Sequence, residues 1–210
     1  VTAVISSMAQ PLGMYIGNSL EVMEAIHVLK GETAGDLLDV SVTLGAQMLL
    51  LAGRTQTEEE AKQLLLQQIK NGEGLAKFRE LLIQQGGNPD ILSQPQLLPL
   101  SPVSLTVHAK TTGYLSQMDT AKIGRASQET GAGRAYKEQP LDFGAGIIMH
   151  KRLGDFVQKG EPLATLYSAS KNTCRAAADR MDTAFTYSTN RPDIPPLILQ
   201  ILSAQPNDRA

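Results

Sequence analysis

The sequence predicts an α/β fold, with a mixed-sheet α/β part and flanking helices followed by a β-rich, barrel-sandwich-like subdomain. Three observations predict it. The chain opens on residues 1–5 (VTAVI), strand formers that are apolar on both faces, as in a buried parallel strand. Segments with helical spacing of apolar residues then run to Gln85. Past a proline-rich stretch at residues 88–102, short alternating runs replace that spacing. The expected division is 1–102 for the α/β part with its linker, 103–178 for the β-rich subdomain and 179–210 for a helix end and last strand.

The elements follow in order. Residues 6–18 form a loop broken by Pro11, Gly13 and Gly17. A loop directly after a buried strand is where open α/β sheets place ligands. Leu20, Met23, Ile26, Val28 and Leu29 space a first helix that stops near Gly31. Leu37, Leu38, Val40, Leu44, Met48 and Leu51 carry a second, apolar nearly all round and therefore expected to be buried. Thr57 with Glu60 makes a capping box for a third helix, whose inner face is Leu64, Leu65 and Ile69. Leu75, Phe78, Leu81 and Leu82 mark a fourth, ended by Gly86 and Gly87. Residues 104–118 alternate like a hairpin around Thr111 to Gly113. Asp119 or Thr120 opens a short helix that Gly131 closes. Residues 144–150 and 162–167 read as strands, with Gly154-Asp155 and Lys159-Gly160 as turns between them. Residues 171–187 are alanine-rich and helical, and residues 197–202 (LILQIL) form a last strand.

Composition narrows the function classes. Apolar residues make up 42% and charged residues 19%, enough to bury a core. The net charge is −2 with no basic stripe, so the footprint of a nucleic-acid binder is missing. The single cysteine, Cys174, excludes an internal disulfide framework and a cysteine-based zinc site, and it fits a reducing compartment. No apolar run approaches the ~20 residues that span a bilayer as a helix. Residues 1–10 lack the pattern of a signal peptide. The chain opens without Met on a strand, as a fragment would.

Few residues carry chemistry. His27, His108 and His150 have no partner at metal-ligand spacing and no adjacent nucleophile, which leaves structural or solvated roles. Cys174 lacks an evident base. Residues 131–134 (GAGR) follow a helix instead of opening one, so they read as a helix end and tight turn. Residues 159–164 (KGEPLA) are similar to a half-motif of biotinyl and lipoyl carrier folds but lack a tip lysine between methionines. A turn followed by a strand accounts for them. The strongest local signal is residues 10–26, QPLGMYIGNSLEVMEAI. Its glycines and proline shape a loop whose carbonyls can converge, and Glu24 follows on the next helix. Loop carbonyls with one carboxylate form a hard-oxygen set suited to a cation such as K⁺. From spacing alone, a plain helix-entry loop is the default reading.

The run ISSMAQPLGMYIGNSLEVMEAI resembles a block of the thymidine and pyrimidine-nucleoside phosphorylases. The resemblance continues through LLDVSVTLGAQMLLLAG, FRELLIQQGGNP, GYLSQMDTAKIGRASQETGAGRA and DFGAGIIMHKRLGDFVQKGEPLATLYS, in family order. Family members are roughly twice as long, so the resemblance implies that this chain is the C-terminal part of the α/β phosphorylase. It implies reversible phosphorolysis of uridine- or thymidine-type nucleosides to base and pentose 1-phosphate, with phosphate as co-substrate. It places the phosphate loop and the pyrimidine-gripping residues upstream, so no catalytic or substrate-binding residue is carried over. It also implies a structural K⁺ (or Ca²⁺), held in part by the carbonyls of Leu12 and Tyr15 and the side chain of Glu24. The family often has Asp where Ser7 stands and a small residue where Tyr15 stands; a carbonyl ligand tolerates the second change. The implied partners are the missing N-terminal half and, for the full-length cytoplasmic enzyme, a second copy in a homodimer.

Two further readings stand beside this one. One is a stand-alone β-rich binding or carrier-like module without catalysis. The other is a related phosphorylase acting on other nucleotides. A reading frame that continues upstream into a glycine- and lysine-rich phosphate loop separates the enzyme from the module.

Overall fold

The structure, a computed structural model, describes residues 1–203. The last seven positions of the expected 179–210 segment lie outside the described residues. The fold is mixed α/β, with six α-helices and three antiparallel sheets among the described residues.

The chain divides into two compact units: Val1–Ser7 with Ile26–Pro89 and the C-terminal stretch from Pro195, and Met8–Ala25 with Asp90–Ile194. This differs from the linear division at residues 102 and 178. The cause is strand pairing. β2 (Tyr15–Gly17) lies beside β5 (Gly146–Met149), and β1 (Thr2–Ser6) lies beside β9 (Ile198–Ser203).

In the first unit β1 pairs antiparallel with β9 alone. The expected buried parallel strand is therefore corrected: Ala3 and Ile5 are exposed, because one face of the two-stranded ribbon stays open to solvent. α2 (Asp36–Leu51) packs on β1, α3 (Glu58–Lys70) on α2, and α4 (Glu73–Gln84) on α3. α3 begins as its sequence dictates. The Thr57 hydroxyl accepts the Glu60 amide at 3.2 Å, and the Glu60 carboxylate accepts the Gln56 amide at 3.0 Å. The burial of α2 is narrower than its composition suggests. Val40, Val42, Thr43, Ala46 and Gln47 are buried, whereas Leu44, Met48 and Leu51 are exposed by 41%, 67% and 61%. Nothing in a residue's polarity says which apolar stripe a neighbour covers. Leu64 is likewise exposed, and Ala61 is the buried residue of α3.

The second unit holds the main core. One sheet has the order β2-β5-β7-β3 and the other β6-β4-β8, where β3 is Val103–His108, β4 Gly113–Met118, β6 Phe156–Val157, β7 Pro162–Ser168 and β8 Phe185–Ser188. α5 (Thr120–Thr130) and α6 (Lys171–Met181) pack on each other and on β7. Leu115, Ile123, Ile147, Val157, Leu163, Leu166, Cys174 and Met181 fill one apolar cluster and are essentially inaccessible to solvent. Two sequence expectations are corrected here. β3 and β4 follow one another but do not form a hairpin: β3 pairs with β7 and β4 with β6 and β8. The helix expected over 171–187 ends at Met181, and β8 follows, because Phe185 and Tyr187 complete the β4 sheet. The Asp119 cap and the left-handed Gly131 terminus of α5 agree with the sequence.

Candidate functional site

Residues 10–18 of the loop that the sequence singles out lie within the second unit, together with β5 and the turn after it. α1 (Asn18–Leu29) starts directly after β2, so Glu24 stands about one and a half turns into the helix. That offset returns its carboxylate to the loop. Glu24 is only 9% exposed. Its Oε1 accepts the Met14 amide at 2.7 Å and its Oε2 the Tyr15 amide at 3.2 Å. Both bonds are charge-assisted. Gly13 is required beside them, because a Cβ there would overlap the carboxylate. Burial first, then the Glu24 and Tyr167 groups, hold the Tyr15 phenol above its usual pKa.

The carbonyls of the same loop face a different group. Arg152, just past β5, donates from Nη1 to the carbonyls of Pro11 at 2.6 Å and Gly13 at 3.3 Å, and from Nη2 to that of Leu12 at 3.3 Å. The Arg152 amide is held by Asp155 at 2.7 Å, and the Leu153 amide by the Gln10 side chain at 2.8 Å. The Met149 amide, at the end of β5, donates to the Met14 carbonyl at 2.7 Å. Gly17 meets β5 closely: its φ is +135°, and a Cβ would sit 2.6 Å from the Ala145 carbonyl.

The predicted cation ligands thus lie close together, Leu12 in the loop, Tyr15 at the start of β2 and Glu24 on α1, but the Leu12 carbonyl and the Glu24 carboxylate meet other partners than each other. Glu24 faces the loop as its spacing requires. It accepts the amides of Met14 and Tyr15 there, while the Leu12 carbonyl meets Arg152. A carboxylate draws the positive ends of peptide dipoles, and the carbonyls of the three preceding residues, Pro11, Leu12 and Gly13, turn to Arg152. The donor set in this chain does not fit a K⁺ or Ca²⁺ ion. The Leu12 carbonyl is engaged by a guanidinium, both Glu24 oxygens carry amides, and a metal at Leu12 would stand beside a fixed positive charge. Among the described residues no three His, Cys, Asp or Glu side chains gather as metal ligands. Sequence reading missed Arg152, because spacing along the chain gives no sign that residue 152 lies against residues 11–13. Three convergent carbonyls do demand some positive partner, and that demand was the available signal.

The remaining candidates carry little chemistry. His27 Nδ1 lies 2.5 Å from Glu32, and His150 Nε2 lies 2.8 Å from the Thr165 hydroxyl. Burial of Cys174 pushes its thiol up, the reverse of an activated nucleophile. Gly160 turns the chain with φ +89°, and β7 follows as the strand of residues 159–164. A cavity of about 410 Å³ opens between β3 and α6, away from the loop. Of its charged lining, Lys110 pairs with Asp182 and Arg175 with Asp179, each at 3.1 Å.

Comparison with known proteins defines the class first. Residues 114–188, most of the β-rich unit, match the pyrimidine nucleoside phosphorylase C-terminal domain. Beyond that domain, the chain is 46% identical over 180 residues to the pyrimidine-nucleoside phosphorylase of Bacillus subtilis, covering 86% of this chain and 42% of the relative. It is 44% identical over 170 residues to that of Staphylococcus haemolyticus, covering 81% and 39%, and 43% identical over 166 residues to that of Staphylococcus aureus, covering 79% and 38%. The chain belongs to the pyrimidine-nucleoside phosphorylase family. It spans about two fifths of the length of the curated relatives it matches.

Proposed function

We propose that this chain is the C-terminal part of a phosphorylase that splits uridine- or thymidine-type nucleosides with phosphate, reversibly, into base and pentose 1-phosphate. The observation that carries the reading is the combination of 46% identity over most of this chain with coverage of only 42% of the relative. The phosphate- and pyrimidine-binding groups then belong to the preceding half, and the chain alone is inactive. The exposed apolar residues of the first unit support a covering partner. Val1, Ile5, Leu199 and Leu202 on the β1–β9 ribbon, and Leu44, Met48 and Leu51 on α2, are open to solvent. The preceding half of the same protein is that partner in this reading. Homodimerisation and a cytoplasmic location, implied by the resemblance, are properties of the full-length protein. No described helix is long and apolar enough to cross a membrane.

The contribution of this part is positional. A phosphorolysis of this type stabilises charge on the departing base and holds phosphate in line, which requires rigid support for the groups that touch both. The loop clamped by Glu24 and Arg152 supplies such a rigid surface. The test is phosphate-dependent release of uracil or thymine by the full-length gene product. Release that proceeds equally without phosphate, or no release at all, would refute the reading.

A further inference from the structure

We propose that Arg152 is the built-in cation of the loop at residues 10–15, so that the order of this loop rests on a side chain and not on a bound metal ion. Three successive carbonyls, those of Pro11, Leu12 and Gly13, converge on one guanidinium. Such convergence gathers the negative ends of three peptide dipoles and needs a positive charge at its focus. The next two amides, Met14 and Tyr15, point at the Glu24 carboxylate. The loop is therefore held between a cation on its carbonyl side and an anion on its amide side.

Arg152 suits the part for three reasons. Its planar fork serves several oxygens at once. Its backbone is fixed by Asp155, and its neighbour Leu153 is tied to Gln10 in the same loop. Leu153 is also buried, which anchors the turn that presents the guanidinium. A mobile K⁺ at the Leu12 carbonyl would have to sit within a few ångströms of that charge. Arg152 touches no reacting group in this chain, so it acts as a positioning residue. The inference does not depend on the catalytic reading, because its readouts are stability and amide protection.

The experiment uses the 210-residue chain. Melting is followed in potassium, sodium and tetramethylammonium chloride at equal ionic strength, with hydrogen exchange of the Met14 and Tyr15 amides measured in each. The expected result is the same melting temperature and the same protection in all three salts. A rise specific to K⁺, or protection that appears only with K⁺, would overturn the proposal, and this arm needs no variant. In the second arm, R152A should melt below wild type, and millimolar guanidinium should raise its melting temperature by refilling the vacated position. The same guanidinium should lower or leave unchanged the wild-type value. An R152A variant that melts with wild type, or that guanidinium only destabilises, would overturn it as well.

Discussion

Gly13 lies so close over the Glu24 carboxylate that no side chain fits between them. The contact exists because Glu24 reaches past Gly13 to the amides of Met14 and Tyr15. Gly13→Ala should therefore displace the carboxylate from two part-buried amides. The expected loss is about 1–3 kcal/mol, the usual cost of leaving a buried polar group unpaired. Urea unfolding of the variant checks it, and a change below about 0.5 kcal/mol would mean that the carboxylate moves aside freely.

Glu24→Gln should cost a similar amount for a different reason. A glutamine has one acceptor oxygen where the carboxylate offers two, so one of the two loop amides would face an NH₂ group. The expected readout is a loss of about 1–3 kcal/mol in urea unfolding, with faster exchange of either the Met14 or the Tyr15 amide. Unchanged protection of both amides would contradict the geometry.

Core substitutions should separate the two units sharply. Leu166→Ala and Ile123→Ala remove side chains at 0% and 1% exposure and should cost ~2–5 kcal/mol. Leu44→Ala and Met48→Ala on α2 should cost less than about 1 kcal/mol in this chain, since both residues are open to solvent. In a full-length protein whose preceding half covers α2, the same two substitutions should cost more. Equal costs in both settings would show that nothing covers that face.

The division between what could and could not be read in advance follows from range. Local chemistry was legible: the Thr57 and Asp119 caps, the Gly131 terminus and the turns at Gly154 and Gly160 are set by residues within four positions of one another. Pairing was not. The run from residue 104 to 118 alternates like a hairpin, but β3 prefers β7, some sixty residues on, and no local pattern encodes that choice. The exposure of Leu44 and Met48 was hidden for the same reason, since an all-round apolar helix does not reveal which side is covered. In the candidate site, Glu24 was legible from its helical offset. Arg152 was not, because it lies about 140 residues away in sequence from the carbonyls it serves.

His150 should titrate below the ordinary imidazole range. Partial burial, then the neighbouring Lys151 charge, disfavour its protonated form. The folded pKa is therefore lower than the unfolded one, and the unfolded chain binds the proton more readily. The associated stability is fully present above the unfolded value near 6.5 and is lost as pH falls from there through the folded value. Proton NMR of the His150 ring checks it. A midpoint at or above the model-peptide value would refute the burial argument.

Cys174 should resist thiol reagents in the folded chain. It is fully buried and its thiol is pushed up by that burial, so both access and thiolate are lacking. Modification should follow the rate of unfolding, and fast labelling under native conditions would contradict the packing of α6 on β7.

The central claim is that this chain is the non-catalytic C-terminal part of a pyrimidine-nucleoside phosphorylase. The most direct measurement compares uridine and thymidine phosphorolysis by the purified 210-residue chain and by the product of its complete reading frame, at equal concentration and saturating phosphate. The predicted result is turnover by the complete product and none by the chain above a control without enzyme. Turnover by the chain alone, or its absence from both, would contradict the claim.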